Sequence, residues 1–357
     1  MEATAGAVDE ARLEEVLGQA VTDMGAAMNG ALIAIGGKLG LWQAMAGAGP
    51  LTPSEIAERA GAAERYVREW ASAQAASGYL AYEADGGTFE LSPEVAMAFA
   101  DEDSPVYVLG GYSLIASVYK DRDKLAERFR SGDGFGWHEH DPDLFVGTEQ
   151  FFRPGYRAHL VAEWIPALEG VEEKLRDGGK VADIGCGHGI STVLMAQAYP
   201  KSTVAGFDYH DASIERAKQI AEAEGVSSNT EFAVASAKEY PGDGYDLVCF
   251  FDCLHDMGDP VGALTHVRET IADDGTVMLV EPFANDSLSE NLNPVGRVYY
   301  AASTVVCTPS SLDQEVGLAL GAQAGEGRLR EVAEEAGFTR FRRATETPFN
   351  LVLEARP

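Results

Sequence analysis

The chain has 357 residues, 46% of them hydrophobic, enough for two domains that each bury a core. Its 57 acidic residues face 27 basic ones, and the resulting net charge of -30 disfavours nucleic acid and anionic membranes as partners. The opening MEATAGAVDE lacks the basic and apolar pattern of a signal peptide, and no run reaches the roughly 18 apolar residues that span a bilayer, so the cytoplasm is the expected location.

The charge suits a high-salt cytoplasm, where ions screen self-repulsion over about 10 Å or less, or an ordinary acidic surface. Cys186, Cys249, Cys253 and Cys307 show no disulfide spacing and read as reduced thiols.

In chain order, residues 9 to 46 carry helical periodicity, with a break expected at Gly36-Gly37. Thr52-Pro53-Ser54-Glu55 is a capping box with proline at the first helical position, so a helix starts near Pro53 and ends at Gly61. A second helix runs from about Ala63 to Ser77. Tyr79 to Tyr82 and Thr88 to Leu91 then flank a Gly86-Gly87 turn. Helix, helix and hairpin form a winged-helix pattern. Winged helices often read DNA, but Glu64 and Glu69 offset Arg65 and Arg68, and the wing carries Glu83, Asp85 and Glu90 with no basic residue. Phosphates would be repelled.

Val106 to Lys124 and Leu125 to Arg130 read as two linking helices. Gly132 to Gly147, with Phe135, Trp137, His138, His140 and Phe145, has the composition of a lid or surface loop. No third ligand lies near the two histidines, so no metal is expected there. Phe151 to Leu168 reads as a helix.

Val181 to Ile190, VADIGCGHGI, is the centre of the chain: a strand, a glycine turn and a helix start. Glycines at 185, 187 and 189 allow backbone conformations closed to other residues and let a ligand approach the main chain. A dinucleotide fingerprint would place its third glycine at Ile190, and Asp183 before the turn repels a pyrophosphate but attracts an ammonium or sulfonium group. Ser202 to Phe207 reads as the next strand, ending in Asp208, placed to accept both hydroxyls of a ribose. Glu231 to Ala235 is a third strand. Tyr245 to Phe251 is an apolar strand of the kind buried on both faces, and Thr276 to Val280 leads to Glu281. Phe338 to Ala344 and Phe349 to Ala355 read as a terminal antiparallel pair.

From Gly179 onward these residues resemble the class I S-adenosylmethionine-dependent methyltransferases, and the N-terminal stretch is similar to the dimerisation domain of small-molecule O-methyltransferases. The resemblance implies an α/β fold, a Rossmann-like seven-stranded sheet behind a mostly helical winged-helix domain. It implies a winged-helix dimerisation domain over 1–110, a helical linker and substrate lid over 111–178, and a methyltransferase domain over 179–357 with a cap insertion at about 283–327. The cofactor implied is S-adenosyl-L-methionine. Asp183, Gly185 and Gly187 would hold its methionine end, Asp208 its ribose, Ser236 and Ala237 its adenine (a serine where the family usually has an acid), and Asp252 would help with its amino acid end; Cys186, Tyr209 and Cys253 are further cofactor-binding candidates.

Leu254-His255-Asp256-Met257 resembles the His-Asp-Trp segment of the O-methyltransferases, which makes His255 the candidate general base, with Glu281 close enough to assist. The structural alternative is a packing histidine paired with Asp256. Cys186-x-His188 and Cys253-x-His255 lack zinc spacing. Trp137, His138, Phe151, Phe152, Tyr299 and Tyr300, if they converge, favour an apolar or aromatic small molecule as acceptor. The implied enzyme is a homodimer that methylates oxygen first of all. Transfer to sulfur, nitrogen or carbon, and a cofactor-sensing regulator, are the alternatives.

Overall fold

The computed structural model describes residues 8–357, which form two compact units. One extends to Ala116 and includes Val146–Pro154; the other comprises Ser117–Phe145 and Gly155–Pro357.

In the first unit, Asp9 accepts from the Ala11 and Arg12 N–H groups and caps helix α1 (Glu10–Lys38). Helices α2 (Leu41–Met45), α3 (Pro53–Ala60) and α4 (Glu64–Ala76) follow, then the wing strands β1 (Leu80–Glu83) and β2 (Thr88–Leu91) and helix α5 (Pro93–Phe99). The capping box is formed: Thr52 accepts from Glu55 N–H, and the Glu55 side chain accepts from Thr52 N–H.

The break expected at Gly36-Gly37 is absent, and α1 continues to Lys38. Gly36 serves packing instead. A Cβ there would stand 2.7 Å from Trp42 Nε1 and 2.9 Å from Trp70 Cζ2, two indoles whose centroids lie 4.8 Å apart in the core. The turn falls at Gly40, with φ +67°.

Two helices cross between the units. Helix α6 (Leu109–Ser131) is continuous where two helices are expected, since no glycine or proline interrupts 112–131. Helix α7 (Asp143–His159) begins inside the expected loop and carries Pro154.

In the second unit, α8 (Val171–Asp177) leads to β3 (Lys180–Ile184), α9 (Ile190–Ala198), β4 (Thr203–Asp208), α10 (Asp211–Ala223), β5 (Thr230–Val234) and β6 (Tyr245–Phe251). Next come α11 (Pro260–Thr270), β7 (Ile271–Pro282), α12 (Pro294–Ala302), α13 (Thr308–Leu312), α14 (Gly325–Glu335), β8 (Arg340–Glu346) and β9 (Asn350–Arg356). The seven-stranded sheet has order β5-β4-β3-β6-β7-β9-β8; β9 runs antiparallel to both β7 and β8, and the other pairs are parallel. Val248, Cys249 and Phe250 on β6 and Val277 to Val280 on β7 are fully buried, as an apolar run covered on both faces must be. The strand order reverses between β3 and β6. Ligands of such sheets bind beyond the carboxyl ends of the strands at that reversal, which is where the glycine loop and the His255 segment emerge.

Candidate active site

The loop after β3 has three left-handed glycines, Gly185, Gly187 and Gly189 (φ +70°, +53° and +75°). Gly185 and Cys186 donate their N–H groups to Phe207 O at 2.8 and 3.1 Å, which ties the loop to β4. A Cβ on Gly189 would stand 2.8 Å from the Phe232 ring, and one on Gly185 2.9 Å from Cys253 Sγ. A Cβ on Gly187 would meet no atom within 4 Å, so the loop has an open side.

Asp208 ends β4. Its Oδ2 accepts from Gly187 N–H at 2.9 Å and its Oδ1 from His210 N–H at 2.8 Å. A carboxylate oxygen accepts more than one hydrogen bond, so both remain able to take ribose hydroxyls. Asp183 is fully buried. Ser191 and Thr192 at the start of α9 both donate to its Oδ2 at 2.6 Å, while Oδ1 is buried without a partner. One oxygen therefore pins the loop to the helix. The other is the unsatisfied acceptor that a ligand ammonium would suit.

Beyond β6, Asp252 has φ +50°, unusual for a non-glycine residue, and strain of this kind collects at functional sites. Its carboxyl oxygens accept from Tyr156 OH at 2.8 Å and Asn350 Nδ2 at 2.9 Å. Cys253 donates its thiol to Ile184 O. His255 is buried, with Nδ1 against Glu281 Oε2 and Nε2 3.3 Å from Cys307 Sγ. Glu281 Oε1 accepts from Leu254 N–H at 3.0 Å, so the carboxylate is fixed before it orients the imidazole. The partner of His255 is thus Glu281, not Asp256. Asp256 accepts instead from Trp137 Nε1 at 2.8 Å.

Trp137 belongs to a row of rings: it lies 5.6 Å from Phe145, which stacks on His210 at 4.6 Å, next to Asp208. Tyr299 is buried and donates its hydroxyl to Phe349 O at 2.9 Å, while Tyr300 is half-buried. Phe151 lies in the other unit, edge-on to Phe152. Tyr209 and Ser236 are exposed, and Ala237 is half-buried. His138 is exposed. It groups with Glu139 and Asp313 at metal-ligand spacing, but Glu139 already accepts from Arg128 and from Gly136 N–H.

Five carboxylates, Asp183, Asp208, Asp252, Asp256 and Glu281, surround this end of the sheet. Burial, opposed in part by hydrogen bonds from Ser191 and Thr192, raises Asp183 to about 6; burial likewise raises Asp256 to about 6 and Asp208 above its usual range. Burial and then the Glu281 charge push Asp252 up to about 8. For His255, burial opposes the charge, yet the Glu281 carboxylate and Cys307 outweigh it and hold the imidazole well above its ordinary value.

An acid whose pKa is higher folded than unfolded loses stability as pH rises between the two values. Wild type therefore loses stability relative to Asp252→Asn as pH climbs from about 4, the unfolded value, towards about 8. The amide still offers a donor and an acceptor to Tyr156 and Asn350, each of which can serve in either role. Urea melts at both ends of that window measure the gap, and a gap that stays constant contradicts the assignment.

The sequence does not mark Tyr156 as a partner of Asp252, and it shows Cys307 as a reduced thiol without its histidine. Both partners are distant in sequence, 96 and 52 residues from the groups they contact.

Residues 175–337 match the family described as a methyltransferase domain, and residues 27–100 match an Rv2258c-like winged HTH domain. The chain is 28% identical over 135 residues to trans-aconitate 2-methyltransferase of Streptomyces avermitilis, covering 38% of this chain and 50% of that one. It spans about half the length of the curated relatives it matches. The mitomycin 7-O-methyltransferase MmcR superposes with a TM-score of 0.70 at 18% identity, covering 98% of this chain and 100% of that one. Human N-acetylserotonin methyltransferase, solved with S-adenosylmethionine, superposes at 0.70 and 16% identity, covering 99% of each chain. At these identities the likeness to the solved structures is one of fold. Both family matches agree with the resemblance read from the glycine loop and from the helix-helix-hairpin segment. The chain therefore carries a methyltransferase domain at 175–337 and, ahead of it, an Rv2258c-like winged helix-turn-helix domain at 27–100.

Proposed function

We propose that the chain is an S-adenosylmethionine-dependent methyltransferase that acts on a small apolar or aromatic acceptor, on oxygen. The observation that carries this reading is the pairing of a glycine loop, open at Gly187 and flanked by Asp208, with the His255–Glu281 pair beyond the neighbouring strand.

Bound S-adenosylmethionine supplies an electrophilic methyl carbon on a sulfonium. Gly185, Cys186 and Gly187 let its main body lie against the backbone, and the unpartnered Asp183 Oδ1 receives its ammonium group. Asp208 and Tyr209 take the ribose, Ser236 and Ala237 the adenine side, and Asp252 and Cys253 the amino acid end. The buried acids favour a cation at this place, since a positive ligand offsets their mutual repulsion. His255 Nε2 accepts the acceptor hydroxyl's proton while Glu281 holds Nδ1 and stabilises the imidazolium. Holding the oxygen in line with the methyl carbon is the larger contribution, because oriented pairs reach effective molarities on the order of 10⁵ M. Trp137, His138, Tyr299 and Tyr300, all of the second unit, would wall the acceptor.

The N-terminal domain forms a homodimer. In its support, α1 leaves Leu13, Leu17, Val21, Met24 and Met28 exposed at helical spacing, an apolar stripe that a second copy can cover. No helix among the described residues is long and apolar enough to cross a membrane.

The test is transfer of a labelled methyl group to a panel of small hydroxylated aromatic compounds, with thiols and amines alongside. Label on a phenolic oxygen supports the reading. Label confined to thiols or amines overturns the choice of oxygen, and no transfer to any acceptor by cofactor-loaded protein overturns the activity.

A further inference from the structure

The His255–Glu281 pair has a second occupant. Cys307 ends a π-type turn, Ser303–Cys307, set between α12 and α13, and irregular turns of this kind recur at functional sites. Its Sγ lies 3.3 Å from His255 Nε2, the nitrogen that Glu281 leaves free for a proton. Thiol, imidazole and carboxylate therefore stand in one row: a nucleophile, its base and the group that orients the base. The row is fixed at its far end by the Leu254 N–H group on Glu281.

We infer that Cys307 is an activated thiol and the place where a soft electrophile covalently modifies this chain. The imidazolium that Glu281 stabilises stands beside the sulfur and favours its thiolate. With a haloacetamide, the sulfur attacks the alkyl carbon, the sulfur–carbon bond forms, the carbon–halogen bond breaks and halide leaves. The thiol proton has gone to water. The alkylated sulfur stays against Nε2 and denies that nitrogen to any acceptor, so the modification also stops transfer. Only this last consequence rests on the proposed role of His255 as base.

The other cysteines give an internal control. Burial pushes the thiols of Cys186, Cys249 and Cys253 well above their ordinary range, and Cys186 and Cys253 donate to the main-chain carbonyls of Gly187 and Ile184. Cys253 is more exposed than Cys307. Accessibility alone therefore predicts that Cys253 reacts first, whereas the row of three groups predicts Cys307.

The experiment treats the full-length native protein, without cofactor, with iodoacetamide near neutral pH and follows each cysteine by peptide mass mapping. Cys307 is expected to label first, about ten-fold or more ahead of Cys253, because an unassisted thiol is only a few per cent thiolate at pH 7. His255→Ala and Glu281→Gln, checked for folding by thermal melting, should each slow Cys307 labelling, the former about ten-fold. Labelling of Cys253 before Cys307 in wild type overturns the inference and needs no variant. So does an unchanged Cys307 rate in a folded His255→Ala protein. If that same variant has lost methyl transfer, the base role stands while the thiol proposal falls; the converse pair of results separates them the other way.

Discussion

His255→Ala is expected to lower the rate of methyl transfer by about 10² to 10⁴-fold, the range a positioned general base contributes, while the affinity for S-adenosylhomocysteine stays as in wild type. The separation follows from geometry, since His255 is held by Glu281 and Cys307 and shares no hydrogen bond with the glycine loop or with Asp208. The pH profile adds a sign. Glu281 keeps the imidazole charged well above its ordinary range, and a charged imidazole takes no proton. Transfer in wild type should therefore rise with pH through that raised value. Glu281→Gln removes the neighbouring charge and should move the rising limb to lower pH. Full turnover in His255→Ala leaves positioning as the whole of catalysis.

Asp208→Ala carries the second large effect. Each hydrogen bond to a charged group contributes about 1.5–3 kcal/mol, and a ribose presents two hydroxyls to this carboxylate. Loss of both corresponds to an affinity drop of about 10²-fold or more. The carboxylate also receives the Gly187 and His210 N–H groups, so its removal loosens the loop as well as the ribose contact. Asp208→Asn retains one acceptor oxygen and should fall between the two.

The features most legible in the sequence are those set by local chemistry. The loop glycines announce themselves because left-handed turns need glycine, and Gly185, Gly187 and Gly189 all have positive φ. Likewise, Thr52-Pro53-Ser54-Glu55 marks a helix start by its own hydrogen bonds. Gly36 misleads for a physical reason: the same residue that breaks an exposed helix is required inside one that passes over Trp42 and Trp70. Between positions 112 and 131 no residue breaks the helix, and the expected division near Lys124 has no structural cause. The acids were visible, but their partners were not. Tyr156 and Asn350 reach Asp252 across 96 and 98 residues, and Cys307 reaches His255 across 52, through sheet order and an insertion that periodicity does not place. Asp256, next to His255 in sequence, turns to Trp137 instead.

The loop from Gly185 to Gly189 and Asp208 are proposed to hold S-adenosylmethionine. Calorimetric titration of S-adenosylhomocysteine into wild type and Asp208→Ala, at one salt concentration and with both proteins shown to be folded, tests it most directly. Wild type should bind clearly, and the variant should lose about 10²-fold or more in affinity. Absence of binding heat in wild type at both low and high salt, or equal affinity in the two proteins, would contradict it.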